Sequence, residues 1–244
     1  MAAAKAALDA GLTLTVFEAG SGLGGNWRFS EDVGHSSVFE TTHIISSKLL
    51  SQYHDFPMPA HYPDYPSHAQ LLAYFESYAN HFGVTKHIQF DTRVLACTQD
   101  ARWHITVEQN GAQHTHVFDA LMVANGHHYK PRWPDYPGNF AGEFLHSHSF
   151  KRAAPFAGKR VLVIGGGNSA ADIAVETSRV SAATHISWRR GYWIVPKFLF
   201  GQPPDVTNLK FLWMPRALHR WVMEKLLTLT NGKNSAIGLP DPDH

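Results

Sequence analysis

The chain has 244 residues, enough for one large or two small domains, and its formal net charge is +1 at pH 7. This near-neutral charge gives no indication of nucleic acid binding, and the single cysteine, Cys97, excludes an internal disulfide and a C-x-x-C redox pair. The single cysteine fits a reducing compartment, so we expect a cytoplasmic protein. No apolar run reaches the roughly 18 residues of a membrane span, and no signal peptide is evident.

The first residues have the pattern of the second half of a dinucleotide-binding unit. Strong helix formers fill residues 1–10, Gly11 ends the predicted helix, and a short strand leads to Glu18, which is placed to bind a ribose hydroxyl. In a complete unit, such as the one that runs from the glycine turn at Gly165 to Arg189, the glycine turn precedes the helix. The same distance counted back from Glu18 ends before Met1. We therefore expect that the first strand and glycine turn are missing and that the chain is a fragment. The alternative is an ordinary alanine-rich helix.

Residues 20–28 (GSGLGGNWR) form a second glycine-rich loop directly after this strand, with Trp27 as a possible aromatic wall for a cofactor. Further along, Ser67 and Gln70 form a predicted capping box at the start of a core helix that Gly83 ends. Short strands follow, and two of them form a predicted hairpin with a type I′ turn at residues 110–111.

Residues 120–124 read as a buried strand that ends in an Asn-Gly pair. This end is either a cofactor edge or a simple strand exit. Prolines at positions 131, 134 and 137 then predict an interdomain crossing.

The clearest signal is the stretch 161–176 (VLVIGGGNSAADIAVE), which predicts a strand, a tight glycine turn and a helix. The spacing G-x-G-x-x-A runs from Gly165 through Gly167 to Ala170. Gly165 permits the sharp turn, Gly167 lets a pyrophosphate approach the backbone, and Ala170 lets the helix pack close to the strand. The N–H groups at the start of the helix then face the phosphates.

The strand that follows, residues 184–188, indicates which nicotinamide cofactor is used. An NAD site needs an acidic residue at the end of this strand, whereas Arg189 and Arg190 stand there. A guanidinium pairs bidentately with a 2′-phosphate, so we predict NADPH over NADH. The alternative is a pair of solvated surface arginines.

Two further patterns have functional alternatives that we do not favour. The chain has 17 histidines, but no H-E-x-x-H spacing occurs and no cysteine partner is close in sequence, so we expect no metal. Residues 209–229 contain an amphipathic helix broken at Pro215. Its mix of Trp, Arg and Lys suits a membrane surface, but an ordinary packed helix is favoured.

Taken together, these residues resemble the flavin-containing monooxygenases. The fingerprint F-x-G-x-x-x-H-x-x-x-(F/Y/W) of that family stands here at Phe140, Gly142, His146 and Phe150, followed by the glycine turn. The stretches GGNWRF, HDFPMP…YPDYPS, NHFGV and KHIQF are also similar to it, so the resemblance covers nearly the whole chain. Baeyer–Villiger monooxygenases usually have Trp at the last fingerprint position, so Phe150 favours the branch that oxidises nitrogen or sulfur.

The resemblance implies an α/β fold with two Rossmann-like dinucleotide-binding domains, an FAD domain and an inserted NADP domain, both incomplete here. The FAD domain is expected at residues 1–135, truncated at its N-terminus, and the NADPH domain at residues 136–244, truncated at its C-terminus. The implied FAD contacts are Glu18, Asn26, Trp27, Ser46 and the backbone of Val94. The implied NADPH contacts are Gly165, Gly167, Asn168, Ser169, Ala170 and Asp172, with Arg189 or Arg190 at the 2′-phosphate.

The implied activity is an FAD- and NADPH-dependent monooxygenase of the N,N-dimethylaniline type, which transfers one oxygen of O₂ to an amine or sulfide through a flavin C4a-hydroperoxide. His146 is expected to be structural rather than a base, and no catalytic side chain is assigned. The residues leave the oligomeric state open, with a homo-oligomer as one option.

One departure affects the expected chemistry. Many members have Asn beside the flavin in a motif resembling S-N-x-x-K, whereas Ile45 stands there in this chain. Ile45 favours one alternative, an uncoupled NADPH oxidase or reductase, and the expected truncation favours another, a non-catalytic nucleotide-binding fragment. A Baeyer–Villiger monooxygenase is a further alternative.

Overall fold

The computed structural model describes residues 1–32 and 34–242, which form two compact units of mixed helices and strands. One unit comprises Met1–Thr42 and Ser67–Gly142, and the other comprises His43–Pro66 and Glu143–His244. The predicted α/β class is confirmed. The assignment of residues 1–135 and 136–244 to separate nucleotide-binding domains stays a prediction.

The first unit contains two helices, two short parallel strands and a three-stranded antiparallel sheet. In chain order these elements are α1 (Ala2–Asp9), β1 (Val16–Phe17), α3 (His68–His81), β2 (Ile88–Gln89), β3 (Thr92–Gln99), β4 (Trp103–Gln109) and β5 (Ala112–Phe118). Single 3₁₀ turns lie at Gly25–Trp27 and Thr85–His87. Helix α2 (Lys48–Ser51) lies in the second unit.

Helices α1 and α3 meet in the apolar core of the first unit. Ala4 of α1 packs with Ala79 of α3 and with Val84, and all three are almost fully buried. The small alanine side chains let the two helix backbones approach each other. Both predicted helix ends are confirmed, because Gly11 and Gly83 have φ values of +74° and +67°, which favour glycine.

The predicted hairpin is confirmed, since β4 pairs with β5 across a turn in which Asn110 and Gly111 both have positive φ. The predicted buried strand at residues 120–124 is wrong. This segment is in no strand, and the side chains of Met122 and Val123 are 59% and 76% exposed. Its β-propensity is not sufficient, because no described strand lies alongside to supply a hydrogen-bonded ladder.

The second unit is built on a parallel pair of strands connected by a helix. Its elements are α2 (Lys48–Ser51), β6 (Arg160–Ile164), α4 (Asn168–Ser178), β7 (Ala183–Ser187), α5 (Pro204–Leu209) and α6 (Arg216–Asn231). Strands β6 and β7 pair in register from Arg160–Ala183 to Ile164–Ser187, so β6, α4 and β7 form a βαβ unit. Single 3₁₀ turns lie at Ser147–Ser149, Ala154–Phe156 and Asn234–Ile237.

The predicted amphipathic helix is shorter than its apolar pattern. Residues 210–215 separate α5 from α6, and Pro215 is the N-cap of α6 rather than a break within it. Proline has no N–H to donate, so it is tolerated at the start of a helix but not inside one. Within residues 1–32 and 34–242, no helix is both long enough and apolar enough to cross a bilayer.

The capping box of α3 gives a direct test of this local structure. Ser67 Oγ accepts a hydrogen bond from the Gln70 N–H at 3.3 Å, and Gln70 Oε1 accepts one from the Ser67 N–H at 3.0 Å. Ser67→Ala should lower the free energy of unfolding by about 1 kcal/mol, measured by urea denaturation. Ser77→Ala, at an exposed position within α3, is the matched control. Equal stability of the two variants would contradict the prediction.

Candidate nucleotide-binding site

The close approach of β6 and α4 is set at Gly165. Its φ of +134° is accessible to glycine but strained for other residues. A Cβ placed on Gly165 would lie 3.7 Å from Cβ of Ala170, so the first turn of the helix packs directly against the end of the strand. The Gly165 N–H also donates to the Ser187 carbonyl of β7 at 3.0 Å, which fixes the turn at the carboxyl end of the parallel pair.

The turn leaves an open approach at Gly167, the N-cap of α4. Among the described residues, no atom beyond the two chain neighbours lies within 4 Å of a Cβ placed on Gly167, and no side chain caps this helix end. Asn168 and Ser169 are exposed in the first turn of the helix. Because the first N–H groups of a helix have no partner within it, this end of α4 can receive an anion.

Two arginines follow β7 at the same edge of the sheet. Arg189 and Arg190 are exposed, and neither pairs with a carboxylate of the described residues. The Arg190 guanidinium carbon lies 5.6 Å from the ring centroid of Tyr192. The preceding residue, Trp188, has its indole N–H buried, with no acceptor among residues 1–32 and 34–242. Donors that have no protein partner are therefore concentrated at this strand end.

Asp172, which the resemblance assigns to NADPH, lies one turn into α4 and is half-buried. Burial raises the pKa of its carboxyl group; the charge of His43 opposes this rise, and that of Glu176 adds to it. The carboxylate is thus in surroundings that do not favour its negative charge.

The residues predicted to bind FAD divide between the two units. In the first unit, Glu18 follows β1, and its Oε1 accepts the Gly20 N–H at 2.7 Å. The Glu18 carbonyl accepts the Thr92 N–H at 2.9 Å, which brings the start of β3 alongside. Val94, two residues further along β3, is exposed beside a bulge in the pairing of β3 with β4. The structure therefore brings Glu18 and the Val94 segment to the same edge.

Asn26 and Trp27 lie in the 3₁₀ turn after the second glycine-rich loop. Asn26 Oδ1 accepts both the backbone N–H and the hydroxyl of Ser37, at 2.8 and 2.7 Å. The hydroxyl of Ser36 donates to the Asn26 carbonyl at 2.6 Å. Asn26 thus fixes the following loop, and its side-chain NH₂ is the part available to a ligand. Trp27 is half-buried.

Ser46 lies in the second unit, next to α2. It is exposed, and its Oγ lies 2.7 Å from Oγ of Ser51. The neighbouring Ser47 is buried, and its N–H donates to Asp205 Oδ2 at 2.6 Å. This bond connects the segment that carries Ile45 and Ser46 to α5.

A cavity of about 280 Å³ lies beside this segment, lined in part by Ser47, Lys48, Asp64 and Val206. None of the residues predicted to bind FAD or NADPH lines it. The Lys48 ammonium group is already engaged, because it donates to the carbonyls of Ala60 and Tyr62 at 3.1 and 2.7 Å.

The fingerprint residues differ in burial, since Phe140 is 75% exposed whereas Phe150 is buried. A methyl group at Gly142 would overlap the ring of Phe140, so glycine lets that ring fold back on the chain. His146 Nδ1 accepts the His148 N–H at 3.1 Å and caps a 3₁₀ turn. Phe150 is 2% exposed, and its ring centroid lies 5.7 Å from that of Phe156. A structural role for His146 agrees with this geometry.

Two contacts of the site were not predicted from the sequence. The ring of Tyr192 packs over Gly166, and Asp205 holds Ser47 from 158 residues away. The stretch WRRGY around the arginines is a signal for the first, since aromatic rings beside Arg commonly form cation–π pairs. Nothing in the sequence indicates the second. In the described part of the chain, no three His, Cys, Asp or Glu side chains cluster as a metal site.

The geometry fits a dinucleotide. In the part of the chain that the structure describes, one end of a parallel strand pair carries an open glycine turn, an uncapped helix of eleven residues and two arginines without a carboxylate partner. The glycine turn and helix start are the groups that bind a pyrophosphate in such units, and an arginine at the next strand end is the group that binds a 2′-phosphate. The fit is less complete for FAD, because Glu18 and Asn26 each use one side-chain oxygen within the protein.

A βαβ unit of this kind defines a nucleotide-binding protein of the Rossmann class. The chain belongs to the flavin-binding monooxygenase-like family, whose model matches residues 1–235. This membership confirms the predicted family and the Rossmann-like fold class, and it supports the predicted pair of cofactors, FAD and NADPH.

Named relatives agree with the family. The chain is 39% identical over 240 residues to dimethylaniline monooxygenase [N-oxide-forming] 2 of Oryctolagus cuniculus, and the match covers 91% of this chain. It is 38% identical over 240 residues, again 91% of its length, to flavin-containing monooxygenase 2 of Homo sapiens. Each match covers 45% of the relative, so the chain spans less than half the length of these curated relatives.

Solved structures also match. A flavin-containing monooxygenase from Stenotrophomonas maltophilia superposes with a TM-score of 0.69 at 28% identity, covering 85% of this chain and 58% of that one. The S-allyl-L-cysteine S-oxygenase of Allium sativum superposes with a TM-score of 0.73 at 25% identity, covering 82% and 52%. The individual cofactor contacts named above stay predictions.

Two glycine substitutions separate the folding role of the turn from its binding role. Gly165→Ala should destabilise the second unit by about 1 kcal/mol or more, because alanine is strained at a φ of +134°. Gly167→Ala should keep the fold, since its new methyl group meets open space, but should weaken NADP⁺ binding by filling the phosphate approach. Thermal unfolding and calorimetric titration measure the two effects. Equal melting temperatures for both variants would contradict this division.

Proposed function

We propose that this chain provides the nucleotide sites of a monooxygenase that uses FAD, NADPH and O₂ to oxygenate nitrogen or sulfur in a small molecule. The observation that carries the proposal is the open glycine turn at Gly167, followed at the same sheet edge by two arginines that have no carboxylate partner among the described residues. The overall reaction consumes NADPH, a proton, O₂ and the substrate, and it yields NADP⁺, water and the oxygenated substrate.

Different residues bind different parts of the two cofactors. The free N–H groups of Asn168 and Ser169 and the positive end of α4 receive the pyrophosphate of NADPH. Arg189 and Arg190 receive its 2′-phosphate, a charge that an NAD site would repel. Glu18 retains Oε2 for a ribose hydroxyl of FAD, and the Asn26 amide NH₂ is available to the same cofactor.

When bound, the flavin supplies the redox chemistry that accepts a hydride and activates O₂. The protein's part is to hold the two nucleotides, orient them and exclude water. The relative from Oryctolagus cuniculus is named as an N-oxide-forming enzyme, and the structural neighbour from Allium sativum is named as an S-oxygenase. Together with Phe150, these names support a nitrogen or sulfur substrate. The exposed thiol of Cys97 supports the proposed cytoplasmic location.

The test uses the full chain with FAD added and excess ligand removed. A retained flavin absorbance band that NADPH bleaches faster than NADH is the expected result, followed by oxidation of N,N-dimethylaniline or an alkyl aryl sulfide. The NADPH advantage is the ratio of the flavin bleaching rates with NADPH and with NADH. The double substitution Arg189→Gln and Arg190→Gln should lower this ratio by about tenfold or more, because charge-assisted hydrogen bonds to the 2′-phosphate are lost.

Arg160→Gln is the matched control, since it removes an exposed arginine at the opposite end of β6. Loss of the NADPH advantage in this control would contradict the assignment. Absence of a retained flavin band would overturn the proposed activity for this chain.

A second candidate function is an NADPH oxidase that releases peroxide. Ile45 favours it, because this side chain is 68% exposed and has no hydrogen-bonding group. Ile45→Asn should lower the peroxide formed per NADPH consumed, by about twofold or more, if one hydrogen bond in that position stabilises the oxygenating state.

Leu50→Asn provides the same change in chemistry at an exposed position a few residues away. Peroxide yield is measured against NADPH oxidation and product. A product yield close to one per NADPH in the unsubstituted chain would exclude the oxidase.

A further inference from the structure

Tyr192 lies against the middle glycine of the turn. Its ring packs over Gly166 so closely that a methyl group added there would overlap the ring. The φ of Gly166 lies outside the left-handed region, so the backbone itself does not demand glycine. The absence of a side chain at Gly166 therefore serves the contact with Tyr192.

The same ring lies under the guanidinium group of Arg190. A distance of 5.6 Å between the guanidinium carbon and the ring centroid is within the range of cation–π attraction. Arg189, by contrast, has no such ring contact among the described residues. Of the two arginines that follow β7, Arg190 is thus the one that the structure restrains.

Other contacts fix Tyr192 in turn. Its ring meets that of Trp188 edge to face, with centroids 5.5 Å apart and an interplanar angle of 79°. Its carbonyl accepts a hydrogen bond from Asn234 Nδ2 at 2.9 Å, and Asn234 is itself 9% exposed. The backbone of residues 240–241 covers Gly191 and leaves no space for a side chain there.

We propose that Tyr192 is a positioning residue that holds Arg190 ready for the 2′-phosphate and links it to the phosphate-binding turn. A free arginine loses considerable side-chain entropy when it binds an anion, and a ring that already restrains it reduces that loss. Tyr192 therefore contributes to the preference for NADPH without touching the phosphate itself. This inference rests on the proposed NADPH site.

The experiment measures binding of 2′,5′-ADP and 5′-AMP to the full chain by calorimetric titration. These probes share the adenosine and the 5′-phosphate and differ only in the 2′-phosphate, and neither requires flavin or turnover. Tyr192→Leu should weaken 2′,5′-ADP binding by about two- to fivefold and leave 5′-AMP binding unchanged. Tyr192→Phe keeps the aromatic face and should bind both probes as the unsubstituted chain does.

Double-mutant cycles identify the partner. Tyr192→Leu combined with Arg190→Gln should cost no more than Arg190→Gln alone, because the ring acts through that arginine. When Tyr192→Leu is combined with Arg189→Gln, the losses of 2′,5′-ADP affinity from the two substitutions should add. Gly166→Ala displaces the ring, so it should weaken 2′,5′-ADP binding as much as Tyr192→Leu does. The double variant Gly166→Ala with Tyr192→Leu should bind no more weakly than either single variant.

The outcomes separate the two proposals. If the unsubstituted chain binds both probes equally, the NADPH preference and the role of Tyr192 both fail. If it prefers 2′,5′-ADP and Tyr192→Leu keeps that preference, only the positioning role fails. An equal loss of both probes in Tyr192→Leu also overturns the positioning role, because it indicates a general structural effect. Melting temperatures verify that each variant is folded.

Discussion

The close contact between strand β6 and helix α4 is the constraint on which the nucleotide site depends. Gly165 turns the chain at a φ of +134°. A Cβ placed on Gly165 would lie 3.7 Å from Cβ of Ala170. With this contact, the start of α4 lies directly in front of the strand end, and its first N–H groups have no side-chain cap among the described residues. Any other residue would be strained at Gly165, and a side chain larger than alanine at position 170 would move the helix away from the strand.

The same geometry places the arginines. Because β7 runs parallel to β6 and pairs with it in register, the residues after β7 emerge at the same edge as the glycine turn. The predicted contacts with a 2′-phosphate and with a pyrophosphate therefore both depend on a single strand pairing. Tyr192 joins them physically, since its ring contacts both Gly166 and Arg190.

Several residues of the predicted flavin site also hold the protein's own loops. Glu18 supports the turn at Gly20, and Asn26 anchors Ser37. Such hydrogen bonds fix the positions of these side chains before any ligand arrives, which reduces the entropy lost on binding. Parallel strands are normally buried on both faces, whereas Leu162 and Ile164 of β6 are 61% and 50% exposed. The described residues therefore provide the packing for only one face of this pair.

The sequence by itself determined the features whose causes are local. The capping box at Ser67 and Gln70, the hairpin turn at Asn110 and the glycine turn at Gly165 each depend on residues a few positions apart, and all three were predictable. The same holds for the family, whose fingerprint is a matter of spacing. These signals need no knowledge of the rest of the chain.

Only the tertiary structure decided the features that depend on a distant partner. Residues 120–124 have the composition of a strand, but a strand forms only where another lies beside it. The bond from Ser47 to Asp205 and the packing of Tyr192 on Gly166 join segments far apart in sequence. The type of a side chain restricts which contacts it can make. The path of the backbone between two residues decides whether they meet.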